Sequence, residues 1–94
     1  MKITLTQEEI QSLTEYLNRF EDAEQLSERE YVLDLYDMEP PMTLDLVLEK
    51  GALRVEGAAV LRFDEELDGW YAAERVEDQE KIEKMLREAG AIHP

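Results

Sequence analysis

The 94-residue sequence predicts an α+β fold: an antiparallel β-meander of three to four strands, with an N-terminal and a C-terminal helix packed on one face. Three observations lead there. Near both ends, apolar residues recur at spacings of three and four. Between these stretches the apolar period drops to two. The period-two stretches are separated by short turn signals, Lys50-Gly51 and Asp68-Gly69.

Residues 2–5 read as a short strand or an extended arm. Thr6 then opens a helix, because Thr6-Gln7-Glu8-Glu9 fits the capping-box pattern in which Thr6 and Glu9 satisfy each other's backbone N–H groups. Ile10, Leu13, Leu17 and Phe20 form one helical stripe. This predicts a helix from Gln7 to about Phe20, with Gln25 as its outer limit.

From Tyr31 the period is two. Leu33 and Leu35 alternate with Asp34 and Tyr36 in a strand expected to end near Met38, and Glu39-Pro40-Pro41 interrupts it. Met42, Leu44, Leu46 and Leu48 give the clearest strand in the chain. Lys50-Gly51 suits a two-residue hairpin, with Gly supplying the positive φ. The next strand places Leu53, Val55, Gly57, Ala59, Leu61 and Phe63 on one face, with a bend expected at Gly57. After the turn at residues 64–69, residues 70–73 return as a short last strand. A final helix is expected to start at residues 76–78, with Ile82, Met85, Leu86 and Ala89 as its apolar stripe and Gly90 just past its end.

The order helix, three strands, helix is similar to that of double-stranded RNA-binding domains. The basic residues that grip phosphate in that family have no counterpart here, since the last helix is led by Glu77, Asp78 and Glu80. Residues 1–94 are expected to form one domain.

The chain carries 24 Asp+Glu against 10 Lys+Arg, a formal net charge of −14. That charge weighs against direct contact with nucleic acid and with anionic membranes, both of which bind through Lys and Arg. It favours a basic partner. The acids are spread along the chain: residues 1–31 hold 8, residues 32–63 hold 6 and residues 64–94 hold 10. With no cysteine, disulfides, thiolate catalysis and Cys-based metal sites are excluded. Acids at Glu8 and Glu9 come too early for a signal-peptide apolar region, and no apolar run nears the ~18 residues of a membrane span. A cytoplasmic location is expected.

No catalytic constellation stands out. His93, the one histidine, is near the C-terminus, where a frayed tail is expected, and the four glycines are each explained by a turn, bend or helix end. No catalytic residue, cofactor or metal is therefore expected. Asp64, Glu66, Asp68 and Gly69 match positions 1, 3, 5 and 6 of a calcium loop, but position 12 is Arg75 and the segment before it reads as strand.

The aromatic residues and the acids supply the candidate contacts. Phe20 and Phe63 are expected in the core. Trp70 and Tyr71, adjacent on a strand, point to opposite faces, so one should be buried and the other exposed. If Glu49 pairs with Ala52 across the hairpin, Asp45 lies opposite Glu56 on the outer face, with Arg54 diagonal to relieve the repulsion. The candidate partner-binding residues are Asp64, Glu65, Glu66, Asp68, Asp45, Glu56 and Tyr71. The function this supports is a non-catalytic protein-binding module. It would be an inhibitor that blocks a basic nuclease or nucleoprotein complex by presenting carboxylates in place of phosphates, as inhibitors of the anti-CRISPR, anti-restriction and immunity-protein type do. The alternative is a structural or regulatory subunit that binds a partner or itself through an apolar sheet face formed by Val47, Val60, Tyr36 and Tyr71.

Overall fold

A computed structural model describes residues 1–93. The elements are β1 (Lys2–Thr4), α1 (Gln7–Arg19), β2 (Ala23–Gln25), β3 (Glu30–Leu35), β4 (Met42–Glu49), β5 (Ala52–Asp64), β6 (Gly69–Arg75) and α2 (Gln79–Glu88). The fold is α+β, and all strand pairs are antiparallel. The sheet has 6 strands where three to four were expected, in the order β1-β5-β4-β3-β2 with β6 also on β5.

The two strands beyond the expected count are short edges: β1, where residues 2–5 were read as a short strand or an extended arm, and β2, which was not foreseen. α1 ends because Phe20 takes extended backbone (φ −71°, ψ 128°), and residues 23–25 then pair with β3 instead of prolonging the helix. β1 lies along residues 52–54 of β5 and β6 along residues 59–64. Since β4 pairs with residues 52–60, β1 and β6 share the other edge of β5, end to end.

Local chemistry sets the helix limits. Thr6 Oγ1 accepts from the Glu9 N–H at 3.1 Å, and Glu9 Oε1 accepts from the Thr6 N–H at 3.0 Å, so the capping box is closed. Asp78 caps α2 by accepting from the Lys81 N–H at 3.2 Å. Gly90 takes φ +82°, and the Ala91 N–H returns to the Leu86 carbonyl at 2.9 Å. Ala91 and Ile92 are then fully buried, so the expected frayed tail is pinned as far as Ile92, and His93 is exposed.

One face of the sheet carries the core. Met42, Leu44 and Leu46 on β4 stand opposite Leu35, Leu33 and Tyr31 on β3, and opposite Val60, Ala58 and Val55 on β5. Leu13 and Leu17 of α1 and Ile82, Met85 and Leu86 of α2 join the same cluster. Both helices therefore cover this face, as expected. The other face, with Val32, Asp34, Thr43, Asp45, Val47 and Ala59, has no helix over it among the described residues.

The register of β5 departs from simple alternation. The Glu49–Ala52 pairing is as expected, but the register shifts between Asp45 and Leu46: Leu46 faces Val55, and Asp45 faces Gly57. Glu56 is thus an extra residue, a β-bulge, and a bulge exchanges the faces of every residue after it. Leu53 and Val55 point to the helix-bearing face before it, and Ala58 and Val60 after it. Ala59, Leu61 and Phe63, expected inside, turn to the open face. Leu61 is buried there yet stands outside the core cluster. Asp45 and Glu56 do not oppose each other. Arg54 instead bonds Glu56 at 2.8 Å and reaches Glu49 at 3.9 Å. Val60, expected on the outer face, is on the helix-bearing face for the same reason, half-buried and outside the core cluster.

Candidate partner-docking surface

β4 ends its pairing with β5 at Met42–Val60, and the last bond across that edge is from the Leu61 N–H to the Pro41 carbonyl. Beyond it, residues 62–64 are paired only with residues 69–71 of β6. The hairpin thus leaves the sheet as a two-stranded arm. Such a ribbon is marginal in water without added side-chain contacts.

Aromatic side chains supply those contacts. Phe63 and Trp70 are directly paired across the strands, with centroids 5.5 Å apart in an edge-to-face arrangement. Tyr36, just past β3, packs on Trp70 at 5.1 Å and ties the arm to the open face. The Tyr36 hydroxyl donates to Asp34 Oδ2 at 3.4 Å, and the Thr43 hydroxyl donates to Asp34 Oδ1. Burial, then the Asp34 and Asp22 carboxylates, hold the Tyr36 phenol above its usual range, so it stays a donor.

These contacts leave much of the arm bare. Phe63, Trp70 and Tyr71 are 46%, 45% and 46% exposed, and Leu67 at the tip is 79% exposed. Of the expected pair, neither Trp70 nor Tyr71 is buried, because the arm has no complete layer on either face. Trp70 is on the open face. Tyr71 is on the helix-bearing side, opposite Arg62, whose guanidinium bonds Glu74 at 2.6 Å.

Acids ring the tip. Asp64 Oδ1 accepts from the N–H groups of Glu66 at 2.9 Å and Leu67 at 3.2 Å, so this carboxylate shapes the loop. Asp68 takes a left-handed φ of 51° before Gly69. Glu65, Glu66 and Asp68 are exposed, and no ion pair among the described residues includes them. Among the described residues, no three His, Cys, Asp or Glu side chains converge to hold a metal ion.

The candidate residues fall in two places. Asp64, Glu65, Glu66, Asp68 and Tyr71 share the arm. Asp45 and Glu56 lie on the main sheet, about 25 Å back along β5 at ~3.3 Å per residue. The sequence reading missed Phe63 and Leu67. The one available signal was Gly57 beside Glu56, which marked an irregularity without giving its kind. Compared with protein-family models, with curated proteins and with solved structures, the chain matches none.

Proposed function

We propose that this chain is a non-catalytic binding module that docks on a basic protein or nucleoprotein surface through the β5–β6 arm. It acts as an inhibitor, occluding cationic residues that a nuclease or nucleic-acid-binding partner uses to hold phosphates. One observation carries the reading: half-exposed aromatic side chains and unpaired carboxylates occupy the same projecting hairpin. Phe63, Trp70 and Tyr71 have the character of interface anchors, which bury apolar area at low entropic cost. Glu65, Glu66 and Asp68 form a charged rim that would steer a basic partner and select for it.

The aromatic patch also favours a second reading, a subunit that meets its partner through a mainly apolar contact. Salt separates the two. Purified basic nuclease complexes are captured on the immobilised chain across a salt series, with and without duplex DNA as competitor. Capture that falls with salt, is displaced by DNA and weakens in the Glu65→Gln, Glu66→Gln, Asp68→Asn variant supports the inhibitor. Capture indifferent to salt and to that variant supports the apolar subunit.

A further inference from the structure

The docking reading leaves open how a partner engages the arm, and the edge of β6 suggests an answer. In an antiparallel pair, N–H and C=O groups alternate between a strand's two edges, so half of those on β6 point away from β5. No strand pairs with that outer edge among the described residues. The other edge strands, β1 and β2, have 3 residues each, whereas β6 has 7, nearly all of them exposed. Long open edges invite a further strand, and proteins blunt them with charges, prolines and bulges.

β6 is blunted only in its second half. The register shifts between Val60 and Leu61, with Glu74 facing Val60 and Ala72 facing Leu61, which makes Ala73 the bulged residue. The charged Glu74 and Arg75 follow it. The first half, Gly69-Trp70-Tyr71-Ala72, has no charge and no bulge. Acids stand at both ends: Asp64, Glu65, Glu66 and Asp68 before it, and Asp78 and Glu80 after it, beyond Glu74 and Glu77, which pair with Arg62 and Arg75.

We propose that the outer edge of β6 accepts an extended segment of the partner as an added strand, with an uncharged centre over residues 69–72 and basic residues at both ends. This rests on the docking reading above. At ~3.3 Å per residue the 7 residues of β6 span about 23 Å, room for a segment of similar length. A second copy of the chain is the poorer occupant. It would bring the same acidic termini against these and add another −14 of charge.

The test uses the full chain and two synthetic peptides. Each has an alternating Val/Thr centre flanked by Lys and Arg. One is unmodified, and the other is N-methylated at alternate backbone amides, which blocks strand pairing but keeps the side chains and charge. Binding is read from the fluorescence of Trp70, the single tryptophan, and from amide hydrogen exchange along β6. The expected result is at least tenfold weaker binding of the methylated peptide, with slowed exchange at alternate β6 amides under the unmodified one. If both peptides bind alike and both weaken with salt, strand addition is wrong while the acidic docking reading stands. If neither binds at low salt, the docking reading fails with it. Concentration-dependent dimerisation that protects β6 in the absence of peptide overturns the proposal in favour of a second copy.

Discussion

Gly57 on β5 faces Asp45 on β4, and a Cβ at position 57 would lie 2.9 Å from Asp45 Oδ2. That separation is below what real Cβ atoms tolerate, so glycine here makes room for the carboxylate beside the Glu56 bulge. Because Asp45 is exposed and its carboxylate can turn aside, Gly57→Ala should cost no more than about 0.5–1 kcal/mol, below the range for an overpacked core. In an Asp45→Ala background the cost should nearly vanish. Chemical denaturation of the four proteins of this double-mutant cycle measures the coupling, and a Gly57→Ala penalty unchanged by Asp45→Ala would refute the contact.

The same bulge assigns Phe63 to the open face, and stability measurements can check this. Phe63→Ala should cost less than about 2 kcal/mol, because nearly half of the side chain is already in water. Leu44→Ala, at a fully buried position, should cost about 3 kcal/mol. Equal losses from urea denaturation would return Phe63 to the core.

Glu9 joins the two helices. Its carboxylate accepts from the Thr6 N–H and pairs with Arg87 at 2.9 Å. The Thr6 backbone N–H first, and Arg87 next, hold its carboxyl below the ordinary carboxylate range. A lowered folded-state value means stability fully present above the unfolded value of about 4.3 and lost as pH falls through the folded one. Glu9→Gln keeps the capping hydrogen bond but removes the charge, so it should cost about 0.5–1 kcal/mol at pH 7. The gap between the two proteins should narrow as the pH falls below about 4.3 and through the folded value. Melting curves across that acid range test this, and a gap that does not narrow in acid would contradict it.

The C-terminal segment should matter more than its position suggests. Ile92 is 1% exposed within the core cluster, so Ile92→Ala should cost about 2–4 kcal/mol. A loss under about 0.5 kcal/mol in guanidinium titration, the scale of an ordinary surface substitution, would mean that the tail is not pinned in solution.

Much of this fold was legible because local signals were strong and agreed. The Thr6–Glu9 capping box, the alternation from Met42 to Leu48, and the glycines at 51 and 90 with φ of +72° and +82° each acted within a few residues. What was not legible depended on pairing between distant segments. Residues 23–25 become a strand because β3 offers an edge, and nothing in Ala23-Glu24-Gln25 itself favours strand over helix. The bulge at Glu56 exists only in the pairing of Asp45 and Leu46 with Gly57 and Val55 across the sheet, and a single inserted residue moved Leu61 and Phe63 to the other face. The acids of the arm could be read directly. Of the aromatic anchors beside them, Tyr71 was read as a contact, but Phe63 was not, because its exposure follows from that inversion and from β4 stopping at Met42.

The most direct test of the account is kinetic. A basic nuclease complex is passed over the immobilised chain, over its Glu65→Gln, Glu66→Gln, Asp68→Asn variant and over its Trp70→Ser, Tyr71→Ser variant, at low and physiological salt. The first variant should slow association and flatten its salt dependence, and the second should speed dissociation at least tenfold. Unchanged association and dissociation in both variants would place the contact elsewhere on the molecule and contradict the assignment of the β5–β6 arm.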